Sequence, residues 1–157
     1  MGDRTKVGME FPPYTMTVEK SKIVEFAMAV ALKEEKEKIN PVYYDEASAK
    51  KAGYEGIPLP PTFMTSFVLW TGNGLKEIVK ALSVDINKLL HSEEEYEYYT
   101  SIYAGDTITR KTKVVDMYER GKRDRVGRFA EVTVLETEVT NQRGELVAKI
   151  RTTAVER

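Results

Sequence analysis

The chain has 157 residues, enough for one domain with its own core, and its net charge of −1 provides no basic excess for a nucleic-acid partner. The absence of cysteine excludes disulfides, a thiol nucleophile and cysteine-ligated metals. Its N-terminal residues lack an apolar signal-peptide core and no apolar run reaches transmembrane length, which predicts a cytoplasmic protein without a membrane partner.

The first part of the chain combines an extended segment with a helical pattern. Residues 6–16 carry apolar and aromatic side chains interrupted by two prolines, which is typical of an extended segment at a sheet edge. Apolar residues then recur at helical spacing and predict a helix over residues 19–33. This helix must end before Pro41, because proline disfavours the α conformation in the preceding residue.

Two further helical segments follow in the first half of the chain. Asp45 is placed to cap a short helix that ends at Gly53. Residues 62–70 are apolar on nearly all sides, which predicts a buried central helix. The pattern extends past a Gly-Asn-Gly break towards a second helix over residues 75–82.

From residue 92 the apolar residues alternate with a period of two, which predicts strands. The predicted strands cover residues 93–103, 107–118, 126–140 and 145–155. Short connections join them, so we expect an antiparallel meander. No repeat or linker divides the sequence, so residues 1–157 are predicted to form one α+β domain, with a curled sheet around the apolar helix.

Two stretches of the sequence carry a resemblance to a known family. Residues 40–63, NPVYYDEASAKKAGYEGIPLPPTF, resemble the corresponding stretch of MaoC-like dehydratases. The blocks LHSEEEYEYY and AGDTIT, within residues 90–109, resemble the next part of the same half-domain. The sequence is most similar to N-terminal-type half-domains and to the non-catalytic subunits of two-chain (3R)-hydroxyacyl-thioester dehydratases. The resemblance implies a hot-dog fold, in which an antiparallel sheet wraps around a central helix.

Catalytic members of that family carry the motif D-x-N-P-x-H, whose Asp and His act as a proton acceptor and donor beside a thioester carbonyl. A glycine amide at the start of the central helix stabilises the developing enolate. Aligned on Asn40–Pro41, this sequence has Lys38 at the Asp position and Tyr43 at the His position. The glycine position falls on Pro61, which has no N–H to donate. The resemblance therefore implies a degenerate site with no catalytic residue in this chain.

A chain of this kind is expected to pair with a homologous catalytic hot-dog subunit that carries the intact motif. Pairing would give a heterodimer or a dimer of heterodimers, or a homodimer when the partner is missing, and it would cover an open sheet edge. The implied reaction is the reversible hydration of a trans-2-enoyl thioester of coenzyme A or acyl carrier protein, without a metal or redox cofactor. The residues expected to line the substrate tunnel are Tyr43, Pro61, Thr62, Phe63, Phe67 and Trp70.

Two other functional classes stay open at the level of sequence. Asp45 or Glu46 would serve a stand-alone hot-dog thioesterase, although helix capping is the favoured interpretation of Asp45. The chain would otherwise be an acyl-thioester-binding scaffold subunit of a lipid-metabolising complex. His91, the only histidine, is interpreted as a packing residue at the start of a strand.

Overall fold

The computed structural model describes residues 3–31, 39–70, 74–122, 127 and 129–157. These residues form a five-stranded antiparallel sheet that packs on short helices, so the predicted α+β class is confirmed.

The described part of the chain contains four α-helices and three 3-10 turns. The helices are α1 (Lys20–Val30), α2 (Glu46–Lys51), α3 (Phe67–Trp70) and α4 (Gly74–Leu82), and the turns are Arg4–Lys6, Pro41–Tyr43 and Phe63–Ser66. The expected helix over residues 19–33 is present as α1, whereas residues 32–38 lie outside the described part. The predicted cap of α2 is confirmed, because the Ser48 N–H donates to Asp45 Oδ2 at 2.8 Å.

The sheet consists of one short strand of 4 residues and four strands of 10 to 14 residues. They are β1 (Tyr14–Thr17), β2 (Leu89–Tyr98), β3 (Thr107–Arg120), β4 (Ala130–Thr140) and β5 (Leu146–Glu156). Of the predicted extended segment, only β1 becomes a strand, and it lies at a sheet edge beside β3 as expected. An isolated bridge from Glu10 to Lys113 continues this edge towards the N-terminus.

The strand order β1-β3-β4-β5-β2 corrects the expected meander. In a meander, β2 would pair with β3, the next strand in the chain. It pairs with β5 instead, and Tyr96 lies opposite Ile150. The connection after β2 does not form a hairpin, because its backbone is hydrogen-bonded to residues 57–59. The Leu59 N–H donates to the Ile102 carbonyl, and the Ala104 N–H donates to the Ile57 carbonyl, both at 2.9 Å. Since Ile102 is also buried, the connection is held across the end of the sheet.

The core lies between the inner face of the sheet and the apolar segment that starts at Phe63. Phe63 and Phe67 are both 0% exposed, and their rings meet edge to face at a centroid distance of 5.4 Å. The predicted central helix is therefore in its expected place, but it is divided into a 3-10 turn and the short helix α3. The turn is reinforced by the Ser66 hydroxyl, which donates to the Phe63 carbonyl at 2.6 Å.

Candidate functional site

The Asn-Pro motif forms a tight turn that fixes the position of Tyr43. Asn40 caps the 3-10 turn Pro41–Tyr43, since its Oδ1 accepts the Val42 N–H at 3.1 Å. Val42 is buried and Tyr43 packs against the main core, so the Tyr43 ring has a defined place. Lys38, which the family resemblance aligns with a catalytic Asp, lies outside the described residues.

Tyr43 and Pro61 both line one surface depression, here called the tyrosine depression, with a volume of about 410 Å³. The other residues that line it are Tyr54, Pro58, Leu59, Tyr98, Tyr99, Thr100, Ser101 and Ile102. The family resemblance assigned Tyr43 and Pro61 to one site, and in the structure both residues line the same depression. The described residues that line this depression include no carboxylate, imidazole or ammonium group.

Two phenols of the tyrosine depression, those of Tyr43 and Tyr98, are unsuited to act as bases near neutral pH. The pKa of Tyr43 is raised, mainly because burial disfavours the phenolate and secondly because of the neighbouring Tyr54. Burial, with a smaller effect of Tyr96, raises the pKa of Tyr98 to about 12. A phenol with a pKa of 10 or more is ionised to less than about 0.1% at pH 7. These side chains can donate hydrogen bonds but cannot accept a proton from a substrate carbon.

Two positions at the start of the central segment, Pro61 and Phe63, have no free N–H for a developing oxyanion. Pro61 has no N–H, and the Phe63 N–H already donates to the Pro60 carbonyl at 3.0 Å. Neither Pro61 nor Phe63 therefore provides the free, preorganised donor that an oxyanion hole needs.

The other residues predicted to bind substrate fall in different environments. Thr62 is exposed at the start of the 3-10 turn. Phe63 and Phe67 are completely buried, and neither residue is among those that line the tyrosine depression. The side chain of Trp70 lies outside the described residues.

Asp45, the alternative catalytic carboxylate, is occupied as a helix cap. Its pKa is lowered, first by the hydrogen bond with the Ser48 side chain and then by the Ser48 backbone N–H. Glu46 is exposed in the first turn of α2. Among the residues that the structure describes, no group of three or more His, Asp and Glu side chains is placed to hold a metal ion.

A second, larger cavity was not predicted from the sequence. This inner cavity has a volume of about 530 Å³ and lies between the inner face of the sheet and helices α3 and α4. It contains three charged or ionisable side chains from two strands, His91 and Glu94 of β2 and Arg110 of β3. A signal for Arg110 was present in the sequence, because the alternation of β3 places it on the same face as the buried Ile108.

Comparison with known proteins places the chain in a family. Residues 5–150 match the family described as FAS1-like, dehydratase domain region. The chain belongs to this family. It is also 31% identical over 149 residues to a UPF0336 protein of Saccharopolyspora erythraea, covering 94% of this chain and 91% of the relative. A UPF0336 protein of Thermobifida fusca is 32% identical over 135 residues, covering 86% and 78% of the two chains.

Solved structures of related fold confirm the architecture. The C-terminally truncated HadBC (3R-hydroxyacyl-ACP dehydratase) complex of Mycobacterium tuberculosis contains a chain with a TM-score of 0.75, at 23% identity and 96% coverage of both chains. A MaoC-like dehydratase gives a TM-score of 0.72 at 25% identity, covering 98% of this chain and 42% of that one. A chain of the ChsH1–ChsH2 complex of M. tuberculosis gives 0.67 at 18% identity, covering 94% and 88%. The expected hot-dog fold and the resemblance to MaoC-like dehydratases are therefore confirmed.

Among the described residues, no helix is both long and apolar enough to span a membrane.

Proposed function

We propose that this chain is a one-domain, non-catalytic, substrate-binding subunit of an enoyl-thioester hydratase or (3R)-hydroxyacyl dehydratase. The observation that carries the proposal is the tyrosine depression, which unites Tyr43 and Pro61 without a carboxylate or imidazole base and without an N–H at position 61. General acid–base groups contribute about 10²–10⁴-fold to a rate, and one oxyanion donor about 10²–10³-fold. A site that lacks both is suited to bind a substrate and not to transform it.

The missing chemistry would come from a homologous hot-dog subunit with an intact D-x-N-P-x-H motif. An open sheet edge supports such pairing, because β2 bonds only to β5 and leaves its other edge unpaired within the described chain. Exposed aromatic side chains follow this edge, with Tyr98 46% and Tyr99 48% exposed. The HadBC and ChsH1–ChsH2 structures are themselves complexes of two named chains, which favours the same type of assembly here.

In this assembly the chain would contribute part of the wall of the substrate tunnel in a cytoplasmic enzyme. Tyr43 and Pro61 face the depression, while Phe63 and Phe67 hold that wall in place from the core. The ligand would be an acyl thioester of coenzyme A or acyl carrier protein. The phenols of Tyr43 and Tyr98, whose raised pKa values keep them protonated at neutral pH, would donate hydrogen bonds to polar groups near the thioester.

The decisive experiment compares the isolated chain with the chain bound to a co-purified hot-dog partner that carries the intact motif. The isolated chain should not hydrate trans-2-enoyl-CoA above background, whereas the complex should be active and lose activity when the partner's motif Asp or His is changed. Within the complex, Tyr43→Ala should raise KM more than it lowers kcat, because it removes a binding contact. Tyr118→Ala, at an exposed tyrosine of β3 outside the depression, is the matched control.

One result would reverse the assignment. Robust turnover by the isolated chain, lost in Asp45→Ala or His91→Ala, would place the catalytic residues in this subunit. Hydrolysis of acyl-CoA without a partner would favour the thioesterase alternative, and binding without turnover even beside an active dehydratase partner would favour a scaffold.

A further inference from the structure

The inner cavity is largely apolar and contains Arg110, whose buried Nε has no hydrogen-bond partner. Its volume of about 530 Å³ falls in the range of small-molecule sites. Much of its wall is aliphatic or aromatic, formed by Phe26, Met64, Ile78, Leu82 and Leu135 among others. Arg110 also lines a smaller cavity of about 150 Å³ beside Pro12 and Tyr14, so its side chain lies between two open spaces.

Arg110 has no partner for its buried nitrogen. Its Nε is buried and makes no hydrogen bond, and no carboxylate among the described residues forms an ion pair with the guanidinium. Burial lowers the pKa of Arg110, and the charge of the nearby Glu94 carboxylate offsets this only in part. Arginine remains protonated in proteins, so a charged guanidinium lies in this largely apolar cavity with a buried Nε that no hydrogen bond satisfies.

The nearest anion, Glu94, is engaged elsewhere. Its Oε2 lies 3.0 Å from His91 Nε2, and it also interacts with the Tyr96 hydroxyl, which is hydrogen-bonded to Thr65. Glu94 therefore influences Arg110 through charge but does not satisfy its donors. The donors of Arg110 remain available for an anion that enters the cavity.

We propose that the inner cavity binds an aliphatic chain bearing a carboxylate, with the carboxylate paired to Arg110 and the chain along the apolar wall. The planar guanidinium matches a carboxylate with two parallel hydrogen bonds, which a compact cation such as lysine cannot make. The hydroxyls of Thr112 and Thr137, 2.8 Å apart on the same inner face, add polar contacts next to Arg110. The site requires no partner chain and no turnover, so it goes beyond the proposed function.

The first test is titration calorimetry of the full chain with dodecanoate and with the chain-matched dodecanol. Dodecanoate should bind about tenfold or more tightly, because hydrogen bonds between charged groups are the strong ones. Arg110→Met should abolish this preference, and Arg110→Lys should retain only part of it. Arg151→Met, at an exposed arginine of β5, is the matched control and should leave the preference intact.

Two further variants separate ligand binding from a structural role. Glu94→Gln should tighten dodecanoate binding, because it removes a negative charge that competes for Arg110. Arg110→Met should not lower the melting temperature of the ligand-free chain, since an apolar side chain replaces an unpaired buried charge. A marked loss of stability in Arg110→Met, together with unchanged binding in Glu94→Gln, would assign Arg110 to the fold and overturn the proposal.

The carboxylate could belong to a free acid or to the far end of a thioester. Tight binding of dodecanoate that is lost in Arg110→Met supports the free acid. A preference for dodecanedioyl-CoA over dodecanoyl-CoA that is lost in the same variant supports a thioester with a distal carboxylate. Equal affinities for acid and alcohol, together with equal affinities for the two thioesters, would refute the proposal whatever the outcome of the hydratase assays.

Discussion

Replacing Phe67 by alanine tests the position of the central segment, on which both candidate sites depend. The Phe67 ring is 0% exposed and packs edge to face against Phe63, which in turn meets Phe26 at a centroid distance of 5.2 Å. Truncation of a buried phenylalanine costs about 3–5 kcal/mol through lost burial and the cavity left behind. For a domain of this size, 1 kcal/mol corresponds to about 2–4 °C, so Phe67→Ala should lower Tm by roughly 6–20 °C.

The assay is thermal and urea unfolding followed by circular dichroism, at one fixed protein concentration because assembly makes Tm concentration-dependent. Met28→Ala is the matched control, since Met28 lies on α1 and is 50% exposed. Its effect should stay within about 0.5 kcal/mol. A Phe67→Ala variant with the Tm of the wild type would show that this side chain does not lie in the core, and the placement of both cavities would fail with it.

Three further predictions concern chemistry, assembly and pH. Tyr43→His alone should not produce hydratase activity in the isolated chain, because Pro61 still provides no oxyanion donor, and measurable turnover of trans-2-enoyl-CoA would contradict this. Sedimentation at micromolar concentration should show a dimer or larger assembly that is weakened by Tyr99→Lys beside the free edge, and a stable wild-type monomer would count against pairing. Asp45 has a lowered pKa in the folded chain, so its stabilising effect should be complete above about pH 4 and lost as the pH falls through the folded value. Asp45→Ala should accordingly lower Tm at pH 7 and have progressively less effect in acid, whereas Asp45→Asn should keep the cap at both pH values.

Local features were predictable because they depend on neighbouring residues. The cap of α2 needs only Asp45 and the backbone three residues later, and both are visible in the sequence. The alternation of apolar residues in β3 determines which side chains face inward, and the apolar run that includes Phe67 has to be buried wherever it lies. The motif around Asn40–Pro41 also predicted the fold, through its resemblance to a known family.

Strand pairing was decided by the tertiary structure. A period of two assigns each side chain to a face of the sheet but does not specify the neighbouring strand, because any antiparallel partner with the same alternation satisfies the pattern. The short connection after β2 favoured a hairpin with β3, yet the backbone bonds of Ile102 and Ala104 with the segment at residues 57–59 hold that connection across the sheet end. β2 therefore pairs with β5.

The same long-range pairing created both candidate sites. Placing β2 at the far edge brings Tyr98 to the depression that contains Tyr43 and Pro61, although these residues are far apart in sequence. It also brings Glu94 and His91 to the cavity that contains Arg110. The sequence by itself predicted which side chains point inward, and its resemblance to a known family led to the hypothesis that the catalytic Asp and His are missing. Only the folded sheet decided which of those side chains meet, because contacts between strands depend on topology and not on the local pattern.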